Sequence, residues 1–316
     1  MGDESVLRVE GLKKAYGDFT AVHDLSLEVR RGEVLGFLGP NGAGKTTSIS
    51  MMCGLLKPTA GTVFLKGKPM GSTNEDRLKV GLCPQHIVVW DRLKCLEQLV
   101  FMGEMYGLGA ATSRTRGLEL LDLLGLKDKA NSLASQLSGG MQRRLNIALA
   151  LIHDPEIVVF DEPEAGLDPQ SRVLVRDFIM AQADKKAVIL TTHNMDEADR
   201  VASRVAIIDK GKVLVVNTPD RLKQDIGEGN IIEVKLGEGE LDEATQEKIL
   251  ARVEAMGARC KFVHDRVVVE GERTAELVAP LLTGLQEMGQ DVGSVIVRQP
   301  TLEDVFLKLT GRSLRE

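Results

Sequence analysis

The sequence lacks the features that mark nucleic-acid-binding, secreted and membrane-spanning chains. Its 316 residues carry 46 acidic and 40 basic side chains, a formal net charge of −6, so we expect no nucleic acid partner. The N-terminus has no basic segment followed by an apolar stretch, which predicts that a signal peptide is absent. No apolar run approaches the ~18 residues that a membrane-spanning helix needs. If the protein works at a membrane, we therefore expect another chain to span it.

Cysteine is scarce, and no internal repeat or low-complexity segment is visible. Cys53, Cys83, Cys95 and Cys260 have no paired metal-ligand spacing and fit a reducing cytosol, so we expect buried structural thiols. Cys260 and His264 are too few for a metal site. The remaining composition is that of an ordinary globular protein, with 43% hydrophobic and 27% charged residues. The length favours two domains of roughly 150 residues each.

A glycine-rich loop dominates the N-terminal part. Gly39-Pro-Asn-Gly-Ala-Gly-Lys-Thr-Thr47 follows the apolar run Val34–Leu38 and precedes a helical pattern marked by Ile49, Met52 and Leu56. Strand, glycine-rich loop and helix form a phosphate site, because backbone N–H groups and the helix start face the anion. We expect Lys45 to reach the β- and γ-phosphates and the Thr46 hydroxyl to bind Mg²⁺. The predicted nucleoside triphosphate site includes Gly39, Asn41, Gly42, Ala43, Gly44, Lys45, Thr46 and Thr47.

Two carboxylates follow a buried strand further along the chain. Ile157–Phe160 is a continuous apolar run of the parallel-strand type, and Asp161 and Glu162 come directly after it. Ligand sites of α/β proteins form at such strand ends. Because successive side chains on a strand alternate faces, we predict Asp161 in the Mg²⁺ shell and Glu162 as the base that orients the attacking water. His193, after the strand Val188–Leu190, is a further site candidate.

Three other features point toward the same ligand. Tyr16 lies upstream of the loop, where stacking on the base and half-buried packing are both open. Gln85 follows a predicted strand and can offer an amide oxygen to a metal or water. Ser138 is predicted to cap a helix that begins with Gly139 and Gly140, which gives a second anion-binding helix start. Two such helix starts suit a nucleotide that is gripped from both sides.

These residues together resemble the ATP-binding cassette family of transport ATPases over residues 7–219. The resemblance rests on an ordered set of motifs: Gly39–Thr46, Gln85, Leu137-Ser-Gly-Gly-Met141, Phe160-Asp-Glu162, Gly166-Leu-Asp168 and His193. It implies that two cassettes pair head to tail, as a homodimer or a heterodimer, and trap two ATP molecules between them. Ser138 and Gly140 of one subunit would then close on the γ-phosphate held by Lys45 of the other.

The resemblance also implies roles for single residues. Tyr16 would stack on adenine, and Gln85 would sense the metal and couple the site to the membrane partner. His193 would contact the γ-phosphate, and Asp168 would communicate between the two sites. Glu164 departs from the family pattern, which commonly has Thr or Ser at this position. The coupling between the two ATP sites is therefore in question, but ATP hydrolysis is still expected.

The segments Cys83–Trp90 and Phe160–Asp168 are most similar to cassettes of the drug, antibiotic and lipid exporter branch, called ABC-2. We therefore expect an ATPase subunit in the cytoplasm, peripheral on the inner face of the cell membrane through integral permease subunits. One alternative is an importer ATPase whose C-terminal domain senses the solute. Another is a soluble cassette ATPase acting on ribosomes or DNA, which the acidic balance and the single cassette disfavour.

The expected fold is an α/β P-loop NTPase cassette over residues 1–220, with a helical subdomain at about 86–155 and its own apolar stripes. One stripe carries Leu96 and Leu99, and another carries Leu118 and Leu121. Residues 221–316 are expected to form a small α+β domain of β-α-β-β-α-β order, which suggests a ferredoxin-like unit. A tail helix follows, with a capping-box-like Thr301-x-x-Asp304 and one apolar face. We favour a domain that buttresses the cassette or its dimer.

Overall fold

The computed structural model describes residues 5–71, 74–225, 229–237, 242–263, 265–271 and 274–311. These residues fall into two compact units, and the chain passes from the first to the second between Pro219 and Asp220. His264, at the turn of a predicted hairpin, lies outside the described residues. The strands of the first unit are β1 (Ser5–Tyr16), β2 (Phe19–Arg30), β3 (Val34–Leu38), β4 (Ala60–Leu65), β5 (Lys68–Pro69), β6 (Val80–Cys83), β7 (Ile157–Asp161), β8 (Ala187–Thr192), β9 (Arg204–Asp209) and β10 (Lys212–Asn217). Its helices are α1 (Lys45–Met52), α2 (Cys95–Met105), α3 (Ala110–Leu123), α4 (Gly139–Leu151), α5 (Pro169–Ala183) and α6 (Met195–Val201), and α7 (Pro219–Gln224) spans the boundary.

The strands of the first unit form one ten-stranded sheet of order β5-β4-β1-β2-β10-β9-β3-β8-β7-β6. The part from β9 to β6 is parallel, whereas β1 pairs antiparallel with β2 and β4. β3, β7 and β8 are buried along their whole length, which explains their continuous apolar sequences.

The register of the parallel strands places their carboxyl ends at one edge of the sheet. Leu38 of β3 pairs with Thr192 of β8, and Asp161 of β7 pairs with Thr191 of β8. Cys83, the last residue of β6, pairs with Phe160 of β7. The segments that follow these four strands therefore begin side by side, and they carry the glycine-rich loop, His193, Glu162 and Gln85.

Helices α2, α3 and α4 share a hydrophobic cluster with the strands behind them. Leu118 belongs to an apolar stripe of the sequence but lies outside this cluster, because its side chain is 37% exposed. Gly117 instead occupies the contact with α2, where an added Cβ would lie 3.0 Å from Leu96 Cδ1 and 3.2 Å from Leu99 Cβ. Within the described ranges, no helix is long and apolar enough to cross a membrane.

The helix after the glycine-rich loop is shorter than its apolar pattern predicts. It ends at Met52, and Gly54 follows with a φ of 69°, a left-handed conformation that terminates helices. Leu56 therefore lies beyond the helix, where it is half-buried against the cluster that contains Ile49 and Met52.

The second unit alternates strands and helices. Its elements are β11 (Ile231–Leu236), α8 (Glu243–Ala255), β12 (Arg259–Val263), β13 (Arg266–Glu270), α9 (Thr274–Glu287), β14 (Val292–Arg298) and α10 (Leu302–Thr310). The sheet order is β12-β13-β11-β14, and every neighbouring pair is antiparallel. Its core includes Ile232, Val234, Val253, Val267 and Leu281.

The tail helix α10 begins with the predicted capping box. Thr301 Oγ1 accepts a hydrogen bond from the Asp304 N–H at 3.3 Å, and the Thr301 N–H donates to Asp304 Oδ2 at 2.8 Å. Two orphan N–H groups are thereby satisfied. The helix ends at Gly311, whose φ is 71°. On its apolar face Phe306 is fully buried, whereas Leu309 is 45% exposed, so the predicted face is buried only in part.

Candidate nucleotide-binding and hydrolysis site

The loop between β3 and α1 (residues 39–44) depends on glycines at two close approaches. Gly44, the residue before α1, has a φ of 96°, and a Cβ there would lie 2.7 Å from the carbonyl oxygen of Ala21. A Cβ on Gly39 would lie 2.3 Å from the carbonyl oxygen of Ile208. Any larger residue would push the loop away from these strands. The N–H groups of the first turn of α1 have no helical partner and are available to an anion.

A cavity of about 290 Å³ opens over this loop. It is lined by Phe19, Ala21, Pro40, Asn41, Gly42, Gly44, Lys45, Thr46, Thr47, Gln85, Asp161 and Glu162. The cavity thus brings together most residues of the predicted phosphate site with both carboxylates and Gln85. Gly39 and Ala43 belong to the same loop, and the buried Ala43 anchors it by accepting a 2.9 Å hydrogen bond from the Gly211 N–H.

Lys45 supplies the positive charge of the cavity. Its side chain is buried, and Nζ donates to the carbonyl oxygens of Gly39 at 2.6 Å and Pro40 at 3.1 Å. Burial lowers the pKa of Lys45, whereas the carboxylates of Glu162 and Asp161 act in the opposite direction. A bound anion beside this ammonium would favour the charged form of Lys45 and so offset the effect of burial.

Glu162 lies at the centre of the hydrogen bonds around the cavity. Its Oε2 accepts from Gln85 Nε2 at 3.0 Å, and its Oε1 lies 3.1 Å from His193 Nδ1. The backbone of Glu162 has a φ of 48°, which is uncommon for a residue other than glycine. Its N–H donates to Thr191 Oγ1 at 2.9 Å, which holds this conformation. The carboxylate is therefore fixed in orientation between Gln85 and His193.

Three oxygen donors fit a magnesium ion. Asp161 is nearly buried at the end of β7 and accepts from the Thr191 hydroxyl. Gln85 uses its amide nitrogen on Glu162, which leaves its oxygen for a metal. Thr46 lines the same cavity with its hydroxyl. Carboxylate, amide and hydroxyl oxygens are the donors that Mg²⁺ prefers.

The sequence reasoning missed Arg143, which fixes the ends of two strands. Its buried guanidinium donates to the carbonyl oxygens of Pro84 at 3.0 Å, Asp161 at 3.1 Å and Pro163 at 3.1 Å, and also to those of Gln85 and Glu162. One side chain thus ties the segment with Gln85 to the segment with both acids. The available signal was a charged residue in register with the buried Ile147 and Ala150 on α4.

A second group of predicted residues lies outside the cavity. Ser138 caps α4, with Oγ accepting from the Met141 N–H at 3.3 Å, and Asp168 caps α5 by accepting from the Ser171 N–H at 3.0 Å. The hydrogen bonds from Ser171 lower the pKa of Asp168. A Cβ on Gly140 would lie 3.8 Å from Asp168 Oδ2, so the two caps adjoin. Ser138, Gly139, Gly140 and Asp168 are not among the residues that line the cavity.

The aromatic residues near the cavity differ from the expectation. Tyr16 is 51% exposed and is not among the cavity residues. The Lys14 ammonium lies 5.2 Å from the centroid of the Tyr16 ring. Phe19, 67% exposed, does line the cavity and was missed because it lies in a plain β-strand sequence. Stacking by Tyr16 stays a prediction, and Phe19 is a second candidate.

The cysteines take no part in this chemistry. Cys53, Cys83 and Cys95 are buried, as expected, and Cys260 is half-buried. Burial raises the pKa of Cys53 and of Cys83 to about 12, so both thiols stay protonated and unreactive at neutral pH.

The chain is similar to several known proteins. Residues 22–165 match the protein family described as ABC transporter. The linearmycin resistance ATP-binding protein LnrL of Bacillus subtilis is 34% identical over 313 residues, 98% of this chain and 100% of its own. The Nod factor export ATP-binding protein I of Ralstonia nicotianae is 38% identical over 100% of this chain and 97% of its own. A solved structure of the ATP-binding subunit of an ABC transporter has a TM-score of 0.65 and 28% identity, covering 70% of this chain and 93% of its own.

The chain therefore belongs to the ATP-binding cassette family of transport ATPases. It binds ATP with Mg²⁺ and couples ATP hydrolysis to transport. The predicted α/β cassette fold is confirmed by the match to the solved structure. The predicted likeness to the exporter branch is confirmed by the relatives.

Proposed function

We propose that this ATPase powers the export of a drug-like, antibiotic or lipid-like compound through a separate integral membrane permease. The names of the two relatives, linearmycin resistance and Nod factor export, support both the direction and the substrate class. In this arrangement the protein works in the cytoplasm, on the inner face of the cell membrane, and is held there by the permease.

A groove on the helical subdomain (about residues 86–155, with α2 to α4) is the proposed permease contact. It has a volume of about 370 Å³ and is lined by Lys94, Leu96, Glu97, Val100, Phe101, Glu104, Arg114, Ala130 and Asn131. Phe101 is 47% exposed, and its ring meets Trp90 edge to face at 5.7 Å. Exposed aromatic side chains beside charged ones suit a short amphipathic helix.

Copurification from membranes tests this contact. Phe101→Ser should lower the amount of integral membrane protein that copurifies with the full chain. Leu123→Ser, at a position of α3 that is 62% exposed and outside the groove, is the matched control. Equal recovery with both variants would contradict the groove as the permease contact.

Different residues of the cavity have different roles in ATP hydrolysis. The loop N–H groups, Lys45 and Thr47 bind the phosphates, and Mg²⁺ held by Thr46, Gln85 and Asp161 would neutralise charge on them. Glu162 orients the attacking water by accepting its hydrogen bond. His193 holds Glu162 through the 3.1 Å contact, and we assign it the contact with the γ-phosphate.

The proposal that two cassettes pair rests on the position of Ser138, Gly139, Gly140 and Asp168. Ser138, Gly139 and Gly140 form a helix start that is exposed or half-exposed, next to the Asp168 cap and outside the cavity. A second cassette, identical or not, could bring its own Ser138 helix start to the phosphates held by this Lys45. Asp168 would then lie where the two sites communicate.

Mixing two inactive variants tests the composite site. Ser138→Arg should keep near-normal ATP affinity but lose most hydrolysis, because the added side chain blocks closure. Lys45→Ala should lose phosphate binding. Mixed pairs then contain one site with both lesions and one site with neither, so activity should rise above that of either variant alone. Normal hydrolysis by Ser138→Arg alone would contradict the composite site.

We also propose that residues 1–220 are the cassette and that residues 221–316 are a ferredoxin-like domain that buttresses it or its dimer. The strand order β14-β11-β13-β12 supports this fold, since it is fourth, first, third, second in chain order. Antiparallel pairing throughout and a helix after the first and third strands also support it.

A further inference from the structure

The segment between β6 and α2, residues 84–93, contains no helix or strand, yet it joins the nucleotide cavity to the groove. Gln85, near its start, lines the cavity and donates to Glu162 Oε2 at 3.0 Å. Trp90, near its end, meets Phe101 of the groove edge to face. Most side chains of the segment are exposed, so hydrophobic burial holds it only weakly. Its conformation therefore depends on polar contacts to its backbone.

Gln98 of α2 supplies the contacts at the end near the groove. Its side chain is fully buried. Its Oε1 accepts from the Trp90 N–H at 2.9 Å, and its Nε2 donates to the carbonyl oxygens of Trp90 at 3.1 Å and Leu93 at 3.2 Å. One side chain thus fixes the backbone on both sides of residues 91 and 92.

Asn146 of α4 supplies the contacts at the end near the cavity. It is 1% exposed, its Oδ1 accepts from the Val88 N–H at 3.2 Å, and its Nδ2 donates to the carbonyl oxygen of Pro84 at 3.4 Å. Arg143, one turn earlier on α4, donates to the carbonyl oxygens of Pro84 and Gln85. The backbone around Gln85 is therefore held on both sides from the same helix.

The chemistry of the two residues suits this task. An amide side chain carries a donor and an acceptor, so one residue can satisfy both an N–H and a carbonyl group. A buried amide is unfavourable unless it is hydrogen-bonded, whereas a fully satisfied buried network favours a single conformation. Methionine or leucine could fill a similar volume without making these bonds. Two buried amides that both face residues 84–93 therefore indicate that the segment must keep one conformation.

We infer that Gln98 and Asn146 are positioning residues for ATP hydrolysis. They hold residues 84–93 so that Gln85 keeps its amide nitrogen on Glu162 and its amide oxygen available to Mg²⁺. The inference rests on the role proposed above for Gln85. Neither Gln98 nor Asn146 lines the cavity, so both act through the backbone of the segment and leave phosphate binding by Lys45 unaffected.

The first test needs neither nucleotide nor metal, because Trp90 is the only tryptophan of the chain. In the full chain, Gln98→Met removes the contacts to the Trp90 backbone, so acrylamide should quench Trp90 fluorescence more strongly and the fluorescence anisotropy should fall. Gln142→Met is the matched control on α4, since the Gln142 amide donates at 2.9 Å to the carbonyl oxygen of Ala134, outside the segment. Wild-type quenching and anisotropy in Gln98→Met would overturn the inference.

The second test measures how steady-state ATP hydrolysis depends on the Mg²⁺ concentration. Gln98→Met and Asn146→Leu should need more Mg²⁺ for half-maximal turnover and should turn over more slowly at saturation, as Gln85→Ala should. Gln142→Met should behave as wild type. The Kd of a fluorescent ATP analogue without Mg²⁺ should stay at the wild-type value, because the phosphate loop is intact. Asn146→Leu alone decides the test if Gln98→Met fails to fold.

The outcomes separate this inference from the proposed function. A wild-type Mg²⁺ requirement in Gln98→Met and Asn146→Leu, beside a raised requirement in Gln85→Ala, would overturn the inference and leave the proposed function intact. Loss of Mg²⁺-free ATP binding in both variants would show a general role in folding and would also overturn it. A wild-type Mg²⁺ requirement in Gln85→Ala would instead overturn the proposed role of Gln85, whatever the fluorescence of Trp90.

Discussion

The two units of this chain differ in how deeply they bury charged side chains. Among the described residues of the first unit, eight charged side chains are buried: Glu33, Lys45, Asp76, Arg143, Asp161, Glu162, Glu164 and Lys186. In the second unit, none of the described charged side chains is buried to that degree. Its ion pairs include a partly buried network, in which Arg298, with a side chain 30% exposed, lies between Glu233 at 2.7 Å and Asp304 at 2.6 Å.

The difference separates charge used for architecture from charge used for chemistry. Arg298 fastens β14 to its neighbouring strand and to α10, which is a structural task. Five of the eight buried charges in the first unit instead belong to the cavity or to the segments around it. Burying a charge is unfavourable unless it is paired, so a cluster of them marks the place where ligand chemistry is needed. We expect substitutions at this cluster to have effects that the second unit cannot produce.

The largest effect is expected at Glu162. Glu162→Gln removes the carboxylate that orients the water but keeps a side chain of the same shape between Gln85 and His193. Steady-state hydrolysis should fall by about 10²- to 10⁴-fold, the usual contribution of a positioned acid or base. ATP affinity should be unchanged, and ATP should trap the variant as a dimer. Unchanged turnover, measured by phosphate release, would refute the role of Glu162.

Arg143 should give the next largest effect, and it acts on stability. Arg143→Met removes a donor from five carbonyl oxygens, of which those of Asp161, Glu162 and Pro163 are buried, and each buried group left unsatisfied is unfavourable by about 1–3 kcal/mol before the segments relax. After relaxation we expect a loss of at least about 3 kcal/mol in the free energy of unfolding. Arg144→Met is the matched control, because Arg144 donates to a single carbonyl oxygen, that of Leu124, at 2.8 Å.

Chemical denaturation of both variants measures the difference. If Arg143→Met and Arg144→Met are destabilised equally, the carbonyl contacts of Arg143 do not determine the stability of the strand ends. A selective loss in Arg143→Met, accompanied by weaker Mg²⁺·ATP binding, would show that the same contacts also position Gln85 and Asp161.

Much of the cassette could be predicted from its sequence because its signals are local. A glycine-rich loop between an apolar strand and a helix can be recognised from adjacent residues. Continuous apolar runs likewise predict the fully buried strands. Ser138 and Thr301 cap their helices as expected, because a cap depends only on the next three residues.

What the sequence could not give depends on contacts between distant residues. Arg143 lies 59 positions from Pro84, so only the folded chain reveals that it joins two strand ends. The positive φ of Glu162 arises in the same way. The stripe did not reveal that Leu118 is exposed, because the helix contact there is made through Gly117, whose lack of a side chain carries no hydrophobic signal.

The smallest effect is expected from removing the second unit, and it tests the comparison directly. All residues that line the nucleotide cavity lie between Phe19 and Glu162, and the boundary between the units lies between Pro219 and Asp220. Each unit has its own sheet and its own hydrophobic cluster, which is the usual mark of segments that fold independently.

We therefore predict that truncation after Asp220 leaves a folded cassette whose Kd for ATP stays within about threefold of the full chain, a difference below 1 kcal/mol. Binding is measured with a fluorescent ATP analogue, and ATP should still raise the unfolding temperature, because a ligand that binds only the folded state stabilises it. Lys45→Ala in the same truncated chain is the control and should abolish both signals. An insoluble truncated protein, or one that binds no nucleotide, would show that the cassette needs the second unit to form its site. The difference in charge between the units would then not separate chemistry from architecture.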